Sequence, residues 1–301
     1  MNKLYYYTDF ETFKLILGNG TLRFKESTKS NDKLDTNILY KELKEVFHER
    51  YKNNESRNAQ IQFLMGFFES KGYQNNSFPV VACFTEKVDS RLLWDAYTMH
   101  RKDRESKRYN GVCIQINIDN LANAMQKECD ENDLFIIKSI FYDKNSRKEF
   151  INEKLEEFDK SVEELAKDPN QDQNIISKQR FIYSLGKRGI EIKLSKCIVI
   201  PMMKFLNDLQ IMSPLFKHEF WNEEKETRAL FYKQENGLEK LPDGAHFYDV
   251  HIPADVFDKV ILGPEFSDGD MRILQSQDNV IDISKIQFKH SKGTGVITSK
   301  N

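Results

Sequence analysis

Two glutamates stand two residues apart at the head of the stretch FWNEEKETRALFY (220–232), which otherwise reads as a buried β-strand. If the strand already runs there, Glu224 and Glu226 share one face, because side chains in a strand alternate sides. Carboxylates so paired can divide acid–base and electrostatic work on one substrate. Glutamates at this spacing are also common in so charged a chain, and the plain alternative is a solvated strand entrance. Two other segments have residue types to match. Tyr5, Tyr6, Tyr7 and Thr8 in LYYYT offer ring faces for stacking a planar ligand and hydroxyls for holding a ribose. Phe84 and Thr85 in CFTE put a hydroxyl at a strand's end, where ligands often meet sheets. Taken alone, aromatic residues in a strand are core, and a single terminal threonine is a weak signal.

Familiar catalytic patterns are missing. The six histidines include no HExxH, and His246 and His251, five apart in a strand-like run, fall on opposite faces, so no metal site is expected. No GxGxxG follows a strand, and neither a Walker loop nor GxSxG occurs. A hydrolytic or nuclease-like toxin is disfavoured for want of a metal-binding cluster.

The elements that must position these residues alternate between strand and helix. KLYYYT reads as a strand. Asp9 or Thr8 can cap the helix FETFKLILGNG, whose Phe10, Phe13, Ile16 and Leu17 share a face, and TLRFKES alternates as a second strand. Strands follow at FPVVACFTE, GVCIQINI and LFIIKSIFYD, with a short helix in SRLLWDAY. Strand character resumes at TRALFYK, HFYDVHI and DKVILGPEF, and DGDMRILQSQ reads as a helix. Residues of about 31–75 and 144–215 read as helical insertions, the second with Pro201 as a break or kink. The expectation is one α+β domain over 1–301.

The 301 residues carry 45 Lys plus Arg against 47 Asp plus Glu, intermixed, for a formal net charge of −2, so composition gives no argument for a nucleic-acid binder, though it leaves nucleic acid open as a substrate held briefly. Four cysteines lie far apart without a CxxC, and Cys83 and Cys113 sit in apolar runs, which suggests reduced, buried thiols. With no signal-like apolar segment at the N-terminus and no membrane-length apolar run, a cytoplasmic protein is expected.

An ordered series of short motifs adds to this reading: Tyr5–Thr8, Gly20-Thr21-Leu22-Arg23, Asn31-Asp32, Phe84-Thr85, Leu92-Leu93 with Trp94 and Tyr97, Gly111-Val112-Cys113-Ile114, Trp221 with Glu224, Glu226 and Arg228, and Ile261-Leu262-Gly263-Pro264. In this series the chain resembles the bacterial family catalogued as domain of unknown function 2971. That family is similar in turn to the ADP-ribosyltransferase superfamily, whose members bind NAD in a cleft of a split β-sheet. The resemblance implies an ADP-ribosyltransferase-like split β-sheet core with helical insertions and NAD as substrate. It further implies catalysis by Glu226 with Glu224, and NAD contacts from Tyr5, Tyr6, Tyr7, Thr8, Arg23, Phe84, Thr85, Trp94 and Arg228. Glu226 would stabilise an oxocarbenium-like transition state and Glu224 would orient or deprotonate the acceptor, while Arg23 or Arg228 would pair with the pyrophosphate or hold a carboxylate in place. The implied setting is a toxin or anti-phage effector acting on a protein or nucleic-acid acceptor, with a neutralising or defence-system partner and no membrane. Tyr6 stands where the family has His, Thr85 where it has Ser and Lys33 where it has Pro. The Tyr6 departure keeps open a second function, a non-catalytic module that senses a nucleotide or a phage component.

Overall fold

The computed structural model describes residues 3–27, 35–54, 57–58, 77–98, 109–167, 182–185, 188–191 and 196–292. The Asn31-Asp32 pair, the apolar stretch IQFLMGFFES and the loop DPNQDQN lie outside them. The strands are β1 (Leu4–Thr8), β2 (Thr21–Glu26), β3 (Ser77–Thr85), β4 (Val112–Ile116), β5 (Leu134–Ser139), β6 (Ile182–Leu185), β7 (Arg188–Glu191), β8 (Glu226–Gln234), β9 (Glu239–Lys240), β10 (His246–His251), β11 (Phe257–Leu262) and β12 (Phe288–His290). The helices are α1 (Phe10–Asn19), α2 (Asp35–Tyr51), α3 (Arg91–Tyr97), α4 (Ile118–Lys127), α5 (Lys144–Ala166), α6 (Lys196–Met212) and α7 (Asp268–Ser276). The chain divides into two compact units, one of Met1–Ser30, Asn76–Ile140 and Trp221–Asn301, the other of Asn31–Asn75 and Phe141–Phe220. The stretches read as insertions, about 31–75 and 144–215, fall within the second.

In the first unit, β1, α1 and β2 follow one another as the sequence reading expects. Asp9 caps α1 by accepting the Thr12 N–H at 2.7 Å. Gly20 ends it at φ 66°, a left-handed conformation that a side chain resists. Ten strands form a mixed sheet in the order β12-β11-β4-β1-β3-β2-β10-β9, with β8 on β3 and β5 on β8. Its longest ladder joins β3 to β8 over nine antiparallel pairs, from Ser77↔Gln234 to Thr85↔Glu226.

The sheet forks on the other edge of β3. There β2 pairs only with Val80 and Val81, and β1 takes over at Thr85 through Tyr5. One face of the sheet carries the main core, in which Leu22, Phe24, Val80, Phe84, Ile114 and Phe231 meet the buried faces of α1, α4 and α7. The opposite face carries a smaller cluster of Tyr5, Tyr7, Leu93, Trp94, Cys113 and Ile261.

The second unit is built from α2, α5 and α6, whose Leu43, Phe47, Leu155, Phe158, Phe205 and Leu209 form a core of their own. Its helices differ from the sequence reading in two ways. The antiparallel pair β6–β7 interrupts the expected helical stretch. In addition, α6 continues through Pro201, so the proline does not end the helix. No described helix is long and apolar enough to cross a membrane.

Arg147 is buried in this unit. Its Nε and Nη2 donate to the two oxygens of the equally buried Glu42 at 2.8 and 2.7 Å, and its Nη1 donates to the carbonyls of Phe141, Tyr142 and Lys217. Truncating one member of such a pair leaves the other charge buried alone, which costs roughly 3–5 kcal/mol. Arg147→Ala is therefore expected to lower unfolding stability in urea by that amount, and adding Glu42→Met to recover part of it. An unchanged midpoint in Arg147→Ala would contradict the assignment.

Candidate functional site

The glutamates of the 220–232 stretch part company in the structure. Glu223 is exposed and pairs with Lys87 at 2.7 Å, while Glu224 and Glu226 are buried. Strand β8 begins at Glu226. Glu224 ends a preceding 3-10 turn (Glu219–Glu224), and Lys225 between them sits at φ 46°. The two acids are thus separated by a left-handed kink and do not lie on one continuous strand face, as the spacing had suggested.

The kink is stapled to the end of β3. Thr85 Oγ1 donates to the Glu224 carbonyl at 2.5 Å and accepts the Lys87 N–H at 3.1 Å, and the Glu86 N–H donates to the Lys225 carbonyl at 3.2 Å. The Thr85 hydroxyl therefore closes the junction of β3 and β8 from within.

Register brings three sequence-predicted positions into one row. Tyr5 on β1 pairs with Thr85 on β3, and Thr85 pairs with Glu226 on β8, so their side chains project from the same face of neighbouring strands. Glu226 is joined by Arg228, two residues along the same face, whose Nε donates to Oε1 at 2.6 Å and whose Nη2 donates to Oε2 at 3.3 Å. Both side chains are buried. Glu224 receives the Tyr97 hydroxyl on Oε1 at 2.9 Å. Burial first, and then the charges of Glu224 and Glu226, push the Tyr97 phenol upward, so it stays a neutral donor at physiological pH. Tyr97 is a member of the site that residue chemistry alone did not single out. Its signal is its place one helical turn after Trp94.

Tyr5 is 93 % buried, and among the described residues its hydroxyl has no hydrogen-bond partner. Burial raises its phenol as well. Tyr7 is engaged: its hydroxyl donates to the Lys87 carbonyl at 3.1 Å and accepts the Ser90 N–H at 2.9 Å. Trp94 packs edge-on against the Tyr7 ring with centroids 5.1 Å apart, and its Nε1 donates to Asp89 at 2.9 Å. Tyr7, Thr85 and Trp94 therefore all hold loop 86–90 through the polar groups that the sequence reading had assigned to a ligand.

Strand alternation removes other residues from the row. Tyr6 and Thr8 stand on the face opposite Tyr5 and Tyr7, and Tyr6 packs on the main core with its ring 5.8 Å from Phe84. Phe84 is core. The run Tyr5–Thr8 is thus two surfaces and not one. Burial pushes the Tyr6 phenol up to about 12. Arg23, on β2, forms a two-point pair with Asp249 at 2.8 and 2.7 Å and stacks over Phe247 at 4.0 Å. Cys113 is buried and its thiol is pushed up to about 12, but Cys83 is exposed, because β3 turns it to the Arg228 side at the fork. Among the described residues no group of three or more His, Cys, Asp or Glu is disposed to hold a metal ion.

Residues 93–229 match the family described as protein of unknown function (DUF2971). The match runs from α3 into β8 and so includes Trp94, Tyr97, Glu224, Glu226 and Arg228. Tyr5–Thr8, Arg23, Phe84 and Thr85 lie outside the DUF2971 segment. No curated protein and no solved structure matches the chain.

Removing the Thr85 hydroxyl leaves a buried carbonyl and an N–H without their bonds, a loss of roughly 1–3 kcal/mol. Thr85→Val should lower the melting temperature by several degrees, whereas Thr85→Ser should retain most of the stability. A Thr85→Val protein as stable as the wild type would show that the hydroxyl is not a staple.

Proposed function

We propose that the chain is an NAD-dependent ADP-ribosyltransferase whose donor site lies over the row Tyr5, Thr85 and Glu226. The observation that carries this reading is the row itself: three residues far apart in sequence, one from each expected motif strand, stand side by side on β1, β3 and β8. The fork beside β3 supports it, since it parts β1 from β2 next to the row.

In the reaction, the bond between the nicotinamide nitrogen and the ribose anomeric carbon breaks. Its electron pair goes to the nitrogen, so nicotinamide leaves neutral and positive charge develops on the ribose. The acceptor's nucleophile then forms the new bond to that carbon and gives up its proton. The Glu226 carboxylate, held from both oxygens by Arg228, is aimed in advance at the developing cation, so little reorganisation is required of it. Glu224 is the candidate for receiving the acceptor's proton. The Tyr5 hydroxyl, without a partner in the described residues, is the donor for a ribose oxygen. A protein or nucleic-acid group would serve as acceptor, and the setting implied by the family resemblance is a toxin or defence effector with a restraining partner.

A second reading has its own observation. The hydroxyls of Tyr7 and Thr85 and the Trp94 N–H all hold the loop 86–90, and Arg228 already pairs with Glu226. These arrangements suit a module that binds a nucleotide without cleaving it.

Nicotinamide release from NAD separates the two. Glu226→Gln keeps a hydrogen-bond acceptor for Arg228 and should fold, yet lose roughly 10²–10³ in kcat. Wild-type release that survives this change would refute the transferase. Silence from the wild type, combined with an NAD-induced rise in melting temperature, would establish the sensor.

A further inference from the structure

We propose that Tyr97 is a positioning residue of this same site, aiming the Glu224 carboxylate at the acceptor side of the reaction. The inference rests on the donor-site reading above.

The Tyr97 backbone is fixed from several directions. Trp94, one turn earlier, is buried against Tyr7 and bonded to Asp89. Thr98, the next residue, is fully buried, and its Oγ1 donates to the Trp94 carbonyl at 2.7 Å. Gly111 closes the contact from the far side. A Cβ there would lie 2.6 Å from the Thr98 Cβ, 2.8 Å from its carbonyl oxygen and 2.5 Å from the Thr8 carbonyl oxygen, so only glycine lets β4 come this close to the end of α3. The helix is seven residues long, and Tyr97 is its last residue.

The Tyr97 ring is 46 % exposed, but its hydroxyl is turned onto a buried acid. A half-exposed tyrosine thus places its polar tip on a buried carboxylate. Glu224 has no strand ladder to orient it, because it precedes the left-handed Lys225. The phenol contributes to that orientation by donating to Oε1. It is also a neutral donor, unlike the guanidinium on Glu226. Tyr97 therefore fixes the direction of the Glu224 carboxylate without bringing a positive charge of its own.

The test uses the full chain with NAD alone as probe and follows nicotinamide release by wild type, Tyr97→Phe, Glu224→Gln, the double variant and Glu226→Gln. Tyr97→Phe should reduce kcat roughly tenfold to a hundredfold, the worth of one hydrogen bond to a charged group, with KM for NAD within about twofold. The double variant should be no slower than Glu224→Gln, since the two residues act as one unit. Wild-type kcat in Tyr97→Phe, or losses that multiply in the double variant, would overturn the positioning role. A fall in kcat accompanied by an equal change in KM and a lower melting temperature would also overturn it, in favour of a structural tyrosine. Failure of the underlying reading shows differently: release that survives Glu226→Gln, or none from the wild type, rejects the donor site and the inference with it.

Discussion

The nine-pair ladder between β3 and β8 fixes the relation of Thr85, Glu226 and Arg228 in the candidate site, because the register of two antiparallel strands cannot slip by one without turning each side chain to the opposite face. Val80, Ala82 and Phe84 of β3, with Ala229 and Phe231 of β8, face the main core, and this burial selects the register. Cys83, Thr85, Glu226 and Arg228 are then obliged to face the other way. A buried apolar face thereby sets the geometry of a polar one, and the two functions of the ladder cannot be separated.

The same ladder explains how acids come to be buried. Glu226 heads a strand covered on both sides, with β3 on one edge and β5 on the other, and an isolated carboxylate there would be costly. Arg228, two residues along the same face, offsets that cost. Glu224 lies just outside the ladder and is held instead by Thr85 through its backbone and by Tyr97 through its carboxylate. The arrangement joins a rigid carboxylate fixed by sheet register to a second one fixed by a helix terminus. The DUF2971 match starts within α3 and ends within β8, and it includes Tyr97, Glu224 and Glu226.

Much of the scaffold was legible from local rules. The sequence of strand, helix and strand over the first thirty residues followed from periodicity and from Asp9 and Gly20, whose effects are confined to neighbouring residues. The same held for α7, read from DGDMRILQSQ, although its reciprocal cap by Ser267 and Asp270 was found only in the structure. Other features depend on contacts distant in sequence. The pairing of Tyr5 with Thr85 is set by the fork. The kink at Lys225 broke the i, i+2 reasoning for Glu224 and Glu226, since alternation holds only where the strand is continuous. Tyr97 was visible as a motif residue, but its bond to Glu224 spans 127 positions and no local pattern encodes it. The strand pair β6–β7 was hidden by the strongly helical composition on either side of it.

The claim on which the account stands is that a nicotinamide nucleotide lies over the Tyr5, Thr85 and Glu226 row. The most direct measurement is NMR of the protein with its tyrosine rings isotopically labelled and assigned, titrated with NAD. The account predicts saturable shifts at Tyr5 and Tyr97, with Tyr51, in the core of the second unit, unmoved. Unmoved Tyr5 and Tyr97 signals at saturating NAD, or shifts confined to rings away from the row, would contradict it.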